Sequence, residues 1–166
     1  MPSLISNETK ALLAEQVGHE KYNASVYLRV AVFLESKGFK NLSKHFYDQH
    51  DEEQKHSLII SKVLTDLGED YHIPTIDEVD TDFNSISDIA NLYLQREVET
   101  TSNLKDIRDM AANEPNGGCP VVEVAMIDML KLQQAELDEA TTFSDRSQNF
   151  VQWGDVAIWD ISLGDK

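Results

Sequence analysis

Apolar residues recur at helical spacing through four long windows, and no window keeps the strict alternation of a strand. The first window runs from about Asn7 to Ser36, with Leu13, Val17, Ala24, Ala31 and Leu34 on one stripe, and Gly38 stops it. The second runs from about Lys40 to Leu67, with Leu42, Phe46, Ile60, Val63 and Leu67 facing in, and closes on Gly68 and Pro74. The third starts near "SISD", where Ser85 or Ser87 supplies a cap, and continues to about Asn113 before "NEPNGG" breaks the chain. The fourth follows Pro120 and reaches about Arg146. A short amphipathic tail, "WGDVAIWDISL", comes last.

Loop lengths turn these windows into a topology. Few residues join the first helix to the second, or the third to the fourth, so each pair is an antiparallel hairpin. About 18 residues without periodicity, Gly68 to roughly Ser85, lie between the hairpins. That length spans a bundle and predicts an all-α fold, a four-helix bundle with one long crossover between helices two and three. A single domain is expected, with the bundle over about residues 7–147 and a fifth, C-terminal helix over about 154–163.

Composition narrows the partners. The chain has 166 residues, 30 acidic against 14 basic, for a formal charge of −16. Such a surface disfavours nucleic acid and anionic membranes and attracts cations. One cysteine, Cys119, leaves no internal disulfide framework and fits a reducing compartment. No apolar run is long enough to span a membrane, and "MPSLISNETK" has neither a signal core nor transit character. A cytoplasmic protein is expected, or a plastid one whose transit peptide has been removed.

Polar residues on the inward stripes change the picture from scaffold to site. The second helix reads Leu42, Phe46, Gln49, Glu53, His56, Ile60, so Glu53 and His56 of "DEEQKH" belong to its apolar side. The first helix places Glu20 and Tyr27 inside, and the third places Glu97 between Tyr93 and Thr101. For the fourth, the stripe Met126, Leu130, Gln134, Leu137, Thr141 puts Gln134 at the same level. One such carboxylate is most simply a side chain snorkelling to water. Three near the helix midpoints, with no Lys or Arg on these stripes, cannot all stay ionised without a cation. Oxygen donors with one imidazole and no thiolate suit Fe(II), Mn(II) or Zn(II). Glu53 is placed to bridge two ions, and Tyr27 stands beside them as a hydrogen-bond or electron donor.

These residues resemble the motifs of ferritins. "HEKYNASVYL" is similar to the first-helix motif, with Glu20 a terminal ligand and Tyr27 the nearby tyrosine. "DEEQKH" resembles the second, with Glu53 bridging and His56 ligating, and "REVETTSNL" the third, with Glu97 on the second iron. "LQQAEL" resembles the fourth, with Gln134 as the ferroxidase glutamine, and "AIWDISL" the tail of bacterial-type non-haem ferritins. The resemblance implies a ferroxidase that oxidises Fe(II) with O2 at an intra-subunit di-iron site and stores ferric mineral inside a homo-oligomeric 24-mer cage.

Bacterioferritins and rubrerythrins carry a second Glu-x-x-His on helix four; here the stretch is Gln134-Ala135-Glu136-Leu137, and no haem is expected. Some relatives hold a third iron through a glutamate three residues beyond the helix-four glutamine. Counted from Gln134 that position is Leu137, so two tight ions and no ordered third are expected. The two acids that line the uptake channel of animal ferritins fall at Val124 and Ile127. Glu123 and Asp128, adjacent to them, are the nearest substitutes for iron uptake, and Glu52 is a candidate relay. Two rivals remain open, a non-catalytic storage-shell subunit and a di-metal carboxylate oxidase acting on another substrate.

Overall fold

The computed structural model describes residues 3–164. Five helices make up its regular structure: α1 (Asn7–Ser36), α2 (Lys40–Asp66), α3 (Ile86–Ala112), α4 (Pro120–Ser147) and α5 (Trp153–Gly164), with no strand among the described residues. Their limits follow local chemistry. Ser6 caps α1 by accepting from the Thr9 amide at 3.1 Å, and Ser85 caps α3 by accepting from the Asp88 amide at 3.2 Å. Gly38, at φ 87°, takes the left-handed conformation that turns α1 back into α2. Pro120 opens α4, where its missing N–H costs nothing.

The segment between α2 and α3 fixes the helix directions. Lys10 near the start of α1 pairs with Glu69 at 2.9 Å, Pro74 lies against Gly18, and Arg29 pairs with Asp82 at 3.2 Å. Phe33 then meets Phe83 edge-on, their centroids 5.1 Å apart. The crossover therefore climbs the whole length of α1. A Cβ on Gly18 would stand 3.0 Å from Pro74 Cγ, so the glycine lets the crossover lie flat against the helix. Having started beside the beginning of α1, the crossover delivers α3 beside its end, and α2 and α3 run parallel. The return is tied at Glu114, which accepts from the Ser6 amide at 2.9 Å and from the Ser6 and Thr9 hydroxyls.

The apolar interior divides around a polar waist. One cluster centres on Tyr27, Leu34, Phe46, Tyr93 and Phe143 and extends to Val156 and Trp159 of α5. The other holds Leu13, Val17, Ile60, Leu64, Leu104 and Met126. Asp160 joins α5 to the bundle by accepting from the Leu42 amide at 2.8 Å, and its carbonyl accepts from Asn41 at 2.9 Å. No described helix is long and apolar enough to cross a membrane.

The α4 stripe differs from the sequence reading by one residue. The buried positions are Val122, Met126, Met129, Gln133, Ala140, Phe143 and Ser147, whereas Gln134 and Thr141 are exposed. Similarly, Thr100 rather than Thr101 and Leu64 rather than Val63 are the fully buried members of their helices.

Candidate metal centre

Four helices bring acidic side chains to the waist between the two apolar clusters. Glu20 on α1, Glu53 on α2 and Glu97 on α3 are each fully buried, and His56 is 3% exposed. Glu136 of α4 completes the ring, half-buried beside His56, with its Oε1 3.3 Å from His56 Nε2.

Ligand atoms converge in three groups, each spanning no more than 4.8 Å: Glu20, Glu53 and His56; Glu53, Glu97 and Glu136; and Glu52, His56 and Glu136. Glu53 belongs to two of them. Its two carboxylate oxygens have no hydrogen-bond partner, nor have Glu20 Oε2, His56 Nδ1 and Glu136 Oε2. Buried polar atoms are almost always satisfied, because an unmet lone pair forfeits its hydration. Five unmet ligand atoms on residues of these overlapping groups fit divalent cations held by oxygen and imidazole.

Electrostatics of the protein alone agree. Burial is the main force pushing Glu53 well above the ordinary carboxylate range, with Glu20 and Glu97 adding like-charge repulsion. Burial likewise raises Glu97, against the lowering effect of its bonds from Tyr27 and Gln133. Glu136 is pushed up to about 9, first by burial and then by Glu97 and Glu20. Protons thus stand in where cations would remove the repulsion.

Glu97 is the most firmly held of these side chains. Tyr27 donates its hydroxyl to Glu97 Oε1, and Gln133 Nε2 donates to Glu97 Oε2 at 2.6 Å. Burial, followed by the Glu97 charge, raises the Tyr27 phenol well above its usual value, keeping it protonated as a donor. Gln16 similarly holds Glu20, its Nε2 donating to Glu20 Oε1 at 2.9 Å.

The structure thus gathers Glu20, Glu53, His56 and Glu97 and sets Tyr27 against them. Gln134 does not join. It points to the exterior, and Gln133 takes the buried place assigned to it, because the α4 stripe advances Met126, Met129, Gln133. The same shift corrects the neighbouring positions. Three residues beyond Gln133 stands Glu136, so the place read as apolar Leu137 carries an acid that faces the waist. Counting back from Gln133 puts Glu123 itself, half-buried, at a position read as Val124, while Met126 fills the other. Asp128 is exposed, and Glu52 sits half-buried beside His56 while bonded to Lys55 at 2.7 Å.

Residues 10–148 match the family profile for a ferritin-like domain. The chain belongs to the ferritin family. It is 31% identical to ferritin BfrB of Mycolicibacterium smegmatis over 132 residues, 80% of this chain and 71% of that protein. Similarity to a bacterial non-heme ferritin of Staphylococcus epidermidis is lower, at 24%, but reaches 92% of this chain and 88% of the other. Among solved structures, an open-pore ferritin of the archaeon Archaeoglobus fulgidus superposes with a TM-score of 0.88 at 20% identity, covering 97% of both chains. A version of that archaeal protein engineered into a closed form superposes at 0.86, covering 96% of each. The likeness extends through α5, so the tail helix belongs to the shared fold and not to the four-helix bundle alone.

Proposed function

We propose that this ferritin stores iron and is itself the catalyst that oxidises it. The observation that carries the reading is Glu53, a fully buried carboxylate common to two ligand groups with both oxygens unpartnered. One Fe(II) would be held by Glu20, Glu53 and His56, and a second by Glu53, Glu97 and Glu136. Iron is the substrate here. Each Fe(II) gives up one electron, so a pair reduces one O2, with two protons, to hydrogen peroxide.

The protein's own part is to bind, orient and release. Tyr27 and Gln133 clamp both oxygens of Glu97 and hold it facing the second ion. Glu53 and Glu136 are unclamped by any protein donor, apart from the His56 contact, and can follow the ions as their size and charge change. Oxidation strengthens binding to hard oxygen donors, so turnover requires that Fe(III) be relayed onward, and Glu52 stands at the margin for that role. A cage of 24 chains, as the resemblance implies, would receive the product as mineral. Ferritin-type relatives that span most of the chain support storage over action on an organic substrate.

Anaerobic titration of metal-free protein with Fe(II), followed by circular dichroism of the ferrous ligand-field bands, tests the site. At least two ions per chain are expected, falling to one or none in Glu53→Ala. Equal uptake by parent and variant would move binding to surface acids and leave a passive storage shell.

A further inference from the structure

A cavity of about 240 Å³ opens in the groove between α1, which carries Glu20, and α3, which carries Glu97. Glu15 of α1 and Asp106 of α3 stand exposed at its rim. Neither forms an ion pair with any described Lys, Arg or His. Two like charges from different helices thus share one opening without a neutralising side chain, an arrangement that favours a counter-cation.

The floor of the cavity lies one hydrogen bond from the metal centre. Gln16 is 2% exposed yet lines the cavity, and its Nε2 donates to Glu20 Oε1 at 2.9 Å. That bond occupies the amide nitrogen, and no described donor meets the carbonyl oxygen of Gln16. The remaining oxygen of Glu20 is also unpartnered. From rim to centre the available groups are therefore carboxylates, an amide oxygen and a ligand carboxylate, all oxygen donors. His19 forms a wall and not a further ligand. One ring nitrogen accepts from Arg96 Nη2 at 3.1 Å, and the other donates to the Thr100 hydroxyl at 2.8 Å. The Arg96 charge is engaged by Glu99 at 2.8 Å, and its Nε donates to Asn23 at 2.7 Å.

We propose that this α1–α3 cavity is a port through which hydrated divalent cations reach Glu20, with Glu15 and Asp106 capturing them and Gln16 passing them inward. The inference rests on the reading of Glu20, Glu53 and His56 as a metal site. Glu15 and Asp106 belong to no group of three converging ligands, so capture is through the hydration shell and is weak. Weak capture is what a port requires, since an ion held tightly at the rim would not move on.

Stopped-flow mixing with Co(II), followed by its visible ligand-field absorption, separates arrival from oxidation. Parent protein is compared with Glu15→Gln/Asp106→Asn, with the charge-conserving Glu15→Asp/Asp106→Glu, and with Glu123→Gln/Asp128→Asn. The neutral double variant should fill its site about three- to tenfold more slowly at low salt. Its final absorbance should equal the parent's, and its rate should depend less on ionic strength. The charge-conserving pair should restore the parent's rate. A neutral variant as fast and as salt-sensitive as the parent overturns the port while leaving the metal site standing, as does slowing confined to the Glu123/Asp128 variant. A parent that takes up no Co(II) overturns both.

Discussion

Glu136→Gln isolates the cost of crowding carboxylates at the waist. In the metal-free protein Glu136 is pushed from the usual 4.5 to about 9, chiefly by burial. A carboxyl raised in the folded state holds its proton where the unfolded chain has lost it. Folding is therefore unpenalised below pH 4.5 and loses stability progressively as pH rises toward 9, by about 1.4 kcal/mol per unit. At pH 7 the full shift corresponds to about 3 kcal/mol. Side-chain relaxation and the group's partial access to water reduce this to about 1–2 kcal/mol. Glutamine keeps the shape, carries no charge and can still meet His56. Chelator-treated Glu136→Gln should melt about 2–8 °C above the parent at pH 7 to 8, with the gap closing near pH 5. With a divalent cation present the order should reverse, because the variant has lost a ligand. Calorimetric melts at three pH values, with and without metal, test the reasoning. A metal-free variant that is less stable than its parent at every pH would refute it.

Several further outcomes are expected. Gln133→Leu should release Glu97 and reduce affinity for the second ion about tenfold in a ferrous titration, the scale of losing an orienting partner, whereas Gln134→Leu should behave as the parent does. Tyr27→Phe leaves the Glu97 carboxylate one donor short; metal binding should persist while the kinetics of oxidation change, and affinity lost to the extent seen in Glu53→Ala would contradict that role. Because Glu136 faces the waist, a crystal soaked anaerobically with Fe(II) should show weaker anomalous density by Glu52, His56 and Glu136 in addition to two stronger sites, and Glu136→Gln should abolish it.

Much of this molecule was legible as periodicity. The stripes of α1, α2 and α3 run through the four ligands because Glu20, His56 and Glu97 sit three or four residues from Val17, Ile60 and Tyr93, and Glu53 lies one heptad from Phe46 on the same side as His56. Glycine at 38 and the unpatterned stretch after 68 marked the hairpin and the crossover for backbone reasons alone. Helix α4 was harder. Two glutamines stand side by side, and Leu130 and Leu137 offer a second apolar series one step away from the true one. Choosing between them needs Glu97, the partner that only Gln133 reaches. Once Gln133 is placed, the count from Met126 through Met129 and Gln133 reaches Glu136. The course of the crossover, set by Pro74 against Gly18, and the α1–α3 cavity depend on contacts between distant segments, which no local pattern records.

The central claim is that buried Glu53 joins two ferrous ions into one oxidation site. Stopped-flow absorbance after mixing metal-free protein with Fe(II) and O2 tests it most directly, with parent and Glu53→Ala measured side by side at two Fe(II) per chain. The account predicts a rapid ferric signal in the parent, saturating near that ratio, and only slow, unsaturable oxidation in the variant. Identical traces from the two proteins would contradict it.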